Sequence, residues 1–269
     1  MIPGPLISIC DLSVSYGNRR VLEGVNLEIR RGEVLALLGG SGSGKSTMLR
    51  HIIGLERPAA GTIHVGGVDI NACSAQELMA IRRKMGIAFQ GAALFSSLTV
   101  EENVQFPLRE LTELPDPVIE IMSYIKLAAV GLGDAGKLLP RELSGGMKKR
   151  AAVARATALD PEILIFDEPS AGLDPIVAAE LDELILFLKR TFHMTVLIVT
   201  HEMTSAFRIA DRLAMLHQGA LIAVEEKEAF RTNGDPRVRR FLDRVPDRLA
   251  ESATVQRRLR EFAGITGES

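Results

Sequence analysis

Residues 33–38 read EVLALL, and the chain runs from there directly into Gly39-Gly40-Ser41-Gly42-Ser43-Gly44-Lys45-Ser46-Thr47. The apolar run is a buried strand, and the pattern over residues 45–53 is a helix stopped by Gly54. Strand, glycine-rich turn and helix in unbroken succession restrict the fold sharply, because such a strand needs a sheet on both sides. Further apolar runs at 84–89, 162–166 (EILIF) and 195–200 (TVLIVT) supply one, and they alternate with helical patterns. An α/β architecture is therefore expected. Residues 58–61 make a turn before an alternating strand over 62–68, and 212–224 reads as a hairpin about Gln218-Gly219.

The glycine-rich turn fits GxxxxGK[ST], in the strand-to-helix context that gives this pattern its meaning. Glycines let backbone N–H groups wrap phosphate oxygens without Cβ clashes, and the helix start adds partial positive charge. Lys45 can then reach the outer phosphates, the Ser46 hydroxyl can ligate Mg²⁺, and Thr47 can bond the innermost phosphate. Without Lys-Ser-Thr the same glycines would read as an ordinary tight turn. Asp167 and Glu168 end the run at 162–166. Alone they would be a solvated acidic pair. Beside a phosphate loop, Asp167 can hold a magnesium ion and Glu168 can polarise an attacking water.

Composition sets outer bounds. The chain has 269 residues, 46% apolar and 25% charged, which is enough for one large core or two small ones and excludes wholesale disorder. A formal charge of −2 offers no basic field, so no nucleic-acid partner is expected. Cys10 and Cys73 cannot make a disulfide framework and fit a reducing compartment. No apolar run reaches the roughly 18–20 residues that span a bilayer, and the first ten residues do not resemble a signal peptide. From about residue 91 to 160 the pattern is mostly helical, with breaks expected at Pro107, Pro115 to Pro117, 131–136 and Pro140. It reads as a helical insertion between strands.

Leu143-Ser144-Gly145-Gly146, in order with the phosphate loop, the acidic pair and His201, resembles the signature of ATP-binding-cassette (ABC) ATPases. The resemblance runs from about residue 6 to 230. It implies a P-loop NTPase fold of the RecA-like type, with an antiparallel β subdomain and a helical subdomain. It divides the chain into an ATPase domain over 5–230, its helical part at about 91–160, and a helical extension over 231–269. It also implies roles: Tyr16 stacks on adenine, Gln90 touches Mg²⁺ or the attacking water, His201 contacts the γ-phosphate, and Asp174 sits at a dimer seam. By itself Tyr16 could instead be a strand-edge tyrosine, the less favoured reading, and Gln90 and His201 ordinary loop residues. Ser144 can cap the helix beginning near Gly146, making a second anion site. In the family that site addresses the ATP bound to the other subunit, so a second copy of the chain is an expected partner. Met147 departs from the Gln or Arg that many members carry after the signature, which puts sugar contacts in question.

Within the family, FQGAALF at 89–95, VQFPLRE at 104–110, the methionine of LSGGM and DPRVRRFLD at 235–243 resemble the MlaF-type ATPases. Such proteins energise phospholipid traffic between bacterial inner and outer membranes. The resemblance implies a transmembrane permease, an MCE-domain lipid-binding protein, a small regulatory subunit, and a peripheral location on the cytoplasmic face of the inner membrane. Residues 92–98 would meet the permease; Leu94 and Phe95 could also be local core. Other readings are an ATPase for import of a small polar solute, a soluble non-transport ABC protein, and a dead scaffold. One phosphate loop and no sustained heptads speak against the soluble protein, and Lys45, Asp167, Glu168 and His201 against the scaffold. The tail carries Val238, Phe241, Leu242 and Val245 at helical spacing, with a second helix possible over 249–262. It could cap the domain, act as a dimer arm, or touch anionic lipid.

Overall fold

The computed structural model describes residues 4–244. Val34–Leu38 (β3) has all five residues buried. It lies inside a six-stranded sheet with Met85–Ala88 (β6), Ile163–Asp167 (β7), Thr195–Thr200 (β8), Arg212–His217 (β9) and Ala220–Glu226 (β10), in the order β10-β9-β3-β8-β7-β6. All neighbours are parallel except the β9–β10 hairpin. A parallel strand covered on both faces must be largely apolar, which is why EVLALL and TVLIVT read as nearly continuous runs. Along β3, Val34, Ala36 and Leu38 join one hydrophobic cluster while Leu35 and Leu37 join a second. The two-residue period of a strand thus divides the core between the sheet's faces.

The second cluster is shared with a four-stranded antiparallel sheet, Arg19–Ile29 (β2), Ile7–Tyr16 (β1), Ala60–Val65 (β4) and Val68–Asp69 (β5), in that order. The single strand expected over 62–68 is two strands. Gly66 and Gly67 take φ of 59° and 86° and turn the chain back between them. Helix Lys45–Ile52 (α1) packs Met48, Leu49 and Ile52 into this side, and Ala75–Arg83 (α2) follows.

On the other face, Val100–Leu111 (α3), Asp116–Ala129 (α4) and Gly145–Ala156 (α5) form the helical part between β6 and β7. The break expected at Pro107 does not occur: α3 runs through it. An internal proline costs roughly 3 kcal/mol. Against that, α3 has a Thr99–Glu102 capping box and buries Val100, Val104 and Leu108. Pro115 and Pro117 begin α4, where a missing N–H is harmless. Pro175–Phe192 (α6), Met203–Ile209 (α7), Lys227–Arg231 (α8) and Pro236–Leu242 (α9) complete the fold. Val238 of α9 is fully buried, and Phe241 and Leu242 pack on the larger core. Val245 and the second tail helix expected over 249–262 lie outside the described residues.

Candidate functional site

The register of the parallel sheet brings the chemistry together. Leu38 pairs with Thr200, and Asp167 with Val199. Residues 39, 168 and 201 therefore leave β3, β7 and β8 along one edge, outside the strands' carboxyl ends, where ligands bind in open α/β sheets. Two glycines have specific reasons to be there. A Cβ on Gly39 would lie 2.4 Å from the carbonyl oxygen of Leu216. Gly44, at the start of α1, has φ of 108°, a conformation that L side chains resist.

Lys45 is buried and donates from Nζ to the carbonyls of Gly39 (2.8 Å) and Gly40 (3.0 Å). Burial lowers its pKa, while Glu168 and Asp167 pull it back up. The ammonium is thus stored against the loop that should surround an anion. Ser43 Oγ is buried in the loop without a hydrogen-bond partner. A loop with an under-solvated cation and an orphan hydroxyl suits phosphate oxygens. Tyr16 shares a cleft of about 350 Å³ with Gly42, Ser43, Gly44, Lys45, Ser46 and Thr47. Its hydroxyl donates to Glu56, which raises the Tyr16 pKa and leaves the ring 47% exposed beside the loop.

A larger cleft of about 750 Å³ joins Gly40, Ser41, Lys45 and Ser46 to Gln90, Asp167, Glu168 and His201. Asp167 has its pKa raised, first by burial and then by Glu168. Glu168 sits at φ of 50°, unusual for a residue with a side chain, and its own N–H donates to Val199 (2.8 Å). Its carboxylate accepts from Thr200 Oγ1 (3.1 Å) and His201 N (3.3 Å), and Oε1 stands 2.8 Å from His201 Nδ1. Acid and histidine are held as one unit at the open edge.

Lys149 belongs here and has no sequence signal of its own. It reaches from α5 to the backbone oxygens of Gln90 (2.5 Å) and Glu168 (3.1 Å), tying the two loops together. Burial lowers its pKa against the pull of Glu168 and Asp167. Only the LSGGMKKR context placed a lysine there, and nothing marked it apart from Lys148.

Ser144, Gly145, Gly146 and Asp174 are not in this cleft. They line a separate one of about 490 Å³ with Met147 and Gly172. Ser144 caps α5 by accepting from Met147 N (3.2 Å), and Asp174 caps α6 by accepting from Ile176 N (3.0 Å) and Val177 N (3.1 Å). Met147 packs its side chain on the core, so the departure from Gln or Arg replaces a polar group with an apolar contact. One chain therefore carries two anion-suited helix tips facing different clefts.

As to metal, no group of three or more His, Cys, Asp or Glu able to hold an ion is found among the described residues. Ser46, Gln90 and Asp167 offer a single carboxylate with neutral oxygens. Such a set is too sparse to cage an ion alone, but it fits Mg²⁺, which takes one or two carboxylates together with substrate phosphates.

Residues 22–171 match the family model described as ABC transporter. The chain is 42% identical over 242 residues to the intermembrane phospholipid transport system ATP-binding protein MlaF of Escherichia coli K12, covering 90% of each. It is 45% identical over 240 residues to the probable ribonucleotide transport ATP-binding protein mkl of Mycobacterium tuberculosis H37Rv, covering 89% of this chain and 67% of that one. Among solved structures, the ATP-binding cassette MJ0796, a dimer in a post-hydrolysis state bound to ADP and Pi, matches with a TM-score of 0.76 and 31% identity, over 82% of this chain and 98% of that one.

Proposed function

The chain belongs to the ABC transporter family, and on that footing we propose how its residues divide the work of ATP hydrolysis. Tyr16 stacks on the adenine. Residues 39–47 wrap the phosphates, with Lys45 released from its loop carbonyls to the β- and γ-phosphates. Ser46, Asp167 and Gln90 hold Mg²⁺, which when bound neutralises charge on the phosphates. Glu168 accepts a proton from water as the water oxygen bonds the γ-phosphorus; the bond from that phosphorus to the bridging oxygen breaks and ADP leaves. His201, held by Glu168, contacts the γ-phosphate.

Ser144, Gly145, Gly146 and Asp174 act on the nucleotide of a second copy. The observation that carries this reading is the separation of the two helix tips into different clefts of one chain. A single copy offers two half-sites, and two copies packed head to tail complete both. ATP touches both halves only when they are closed, so nucleotide shifts the population towards the closed dimer. The same reading takes 5–230 as the ATPase domain, 91–160 as its helical part and 231–269 as an extension.

As an ATPase subunit of a membrane transport system, the chain works with a permease. Among the described residues no helix is long and apolar enough to cross a membrane, in keeping with peripheral attachment. We propose phospholipid as the cargo, moved between inner and outer membranes, by likeness to MlaF along 90% of both chains. An MCE-domain protein and a small regulatory subunit complete the assembly on the cytoplasmic face of the inner membrane. The name carried by mkl keeps a polar solute, a ribonucleotide, as the second reading.

The permease contact is an apolar cleft of about 440 Å³ lined by Met79, Met85, Phe89, Phe95, Phe106 and Pro107. Phe95 is 45% exposed, and its ring packs at a tilt against that of Phe106, with centroids 4.7 Å apart. The test is purification from solubilised membranes, with the co-purified permease and its bound molecule identified and transport measured after reconstitution. Phospholipid in the permease, and transport lost in Phe95→Asp with nucleotide binding kept, is the expected result. A ribonucleotide in the permease would replace the cargo assignment, and unimpaired transport by Phe95→Asp would remove the docking site.

A further inference from the structure

Asp182 lies in α6, only 2% exposed, away from both clefts. Its carboxylate is answered from α7. Ser205 Oγ donates to one oxygen, and Arg208 donates to the other at 3.3 Å. Burial pushes this carboxyl above the usual carboxylate range. A buried acid is a costly way to join two helices when leucine would pack at no electrostatic cost. What it adds is a defined relation between them, because its hydrogen bonds are satisfied in one arrangement and broken by a slip.

The helices it joins matter. α6 is capped by Asp174, on the cleft of the α5 tip, and Glu180, nearly two turns further on, pairs with Arg150 of α5 (2.5 Å). At its far end Lys189 bonds Asp211 (2.7 Å), whose carboxylate also accepts from Val34 N (2.7 Å) at the base of β3. α7 begins directly after His201, with Glu202 as its cap. α6 is thus fastened to the helix bearing Ser144 on one side and to the helix that follows His201 on the other.

We infer that Asp182 is a positioning residue for His201: by locking α7 onto α6 it fixes the histidine relative to the half-site formed at the starts of α5 and α6. The inference rests on the role proposed for His201. Misplacing a reacting group by a fraction of an ångström lowers turnover without weakening ground-state binding.

The experiment measures kcat and KM for ATP, with thermal stability alongside, in the full chain with its permease. The variants are Asp182→Leu, Asp182→Asn, Ser205→Ala and His201→Ala, with the Asp182→Leu/His201→Ala double. Asp182→Leu should lower kcat on the order of tenfold with KM within about twofold. Ser205→Ala, which leaves Arg208 on the carboxylate, should act in the same direction and less. Asp182→Asn, which keeps an acceptor for Ser205, should recover most of the rate. On the His201→Ala background, Asp182→Leu should cost nothing further, as expected for two residues on one path. Unchanged kcat in both Asp182→Leu and Ser205→Ala would overturn the inference while leaving His201 in place. So would an undiminished further loss on the His201→Ala background, or losses that simply track thermal stability. Normal turnover by His201→Ala alone would instead remove the role assigned to that residue, and the inference with it.

Discussion

Asp167 leaves β7 at a depth where its own ionisation is unfavourable, since burial and the neighbouring Glu168 both raise its pKa against the pull of Lys45 and Lys149. The ionised acid is therefore less at home in the folded, nucleotide-free chain than in the unfolded one. Its penalty is absent at low pH, grows as pH rises through the raised pKa, and is complete above it. Asp167→Asn should melt about 2 °C higher than the parent at neutral pH, with the gain vanishing on acidification, and should lose Mg²⁺-dependent hydrolysis. Equal melting temperatures across the pH range would contradict this electrostatic picture. Individual residues were the most legible part of the sequence. Lys45, Ser46, Asp167 and Glu168 stand in a contiguous loop or at a strand end, so local pattern alone groups them. Lys149 was not legible, because its work is done on the carbonyls of Gln90 and Glu168, which only the folded backbone brings within reach. The same holds for the ion-like seat of Lys45 on Gly39 and Gly40.

At the level of elements, runs buried on both faces were readable because a parallel strand has little room for polar positions, as the five buried apolar residues of β3 illustrate. What local pattern missed was set by competition. Two glycines with positive φ divided one expected strand into β4 and β5, and the capping box and buried face of α3 outweighed Pro107. The tail stripe was visible as a stripe but not as a contact. In the structure Val238 is fully buried and Phe241 and Leu242 of α9 pack on the larger core; we propose that this part of the tail caps the fold. Asp235 begins α9 by accepting from Arg237 N (2.8 Å), and its pKa is held at about 2, chiefly by the Arg237 side chain. Val238→Ala should lower stability by about 2 kcal/mol in urea unfolding, whether or not a second copy is bound. A variant whose isolated chain is as stable as the parent, with only the dimer weakened, would show that α9 serves as an arm instead.

For the molecule as a whole, the governing feature is incompleteness. The phosphate loop, Glu168 and His201 open on one cleft, Ser144 and Asp174 on another, and the family's cassettes include one solved as a dimer with ADP and Pi. The sequence carried both motifs, but their placement apart is a property of the sheet edge and the helical layer together. Cargo is a different matter, since the proposed site handles nucleotide and none of its residues is assigned to a transported molecule. The most direct measurement is the mass in solution of Glu168→Gln with ATP and Mg²⁺, by light scattering, beside its rate of hydrolysis. Removing the proposed base should lower turnover about 10²–10⁴-fold and leave ATP bound, so the protein should accumulate at twice the chain mass with ATP and return to single copies with ADP. A Glu168→Gln protein that remains a single copy with ATP bound, at every concentration and with its permease present, would contradict the shared site.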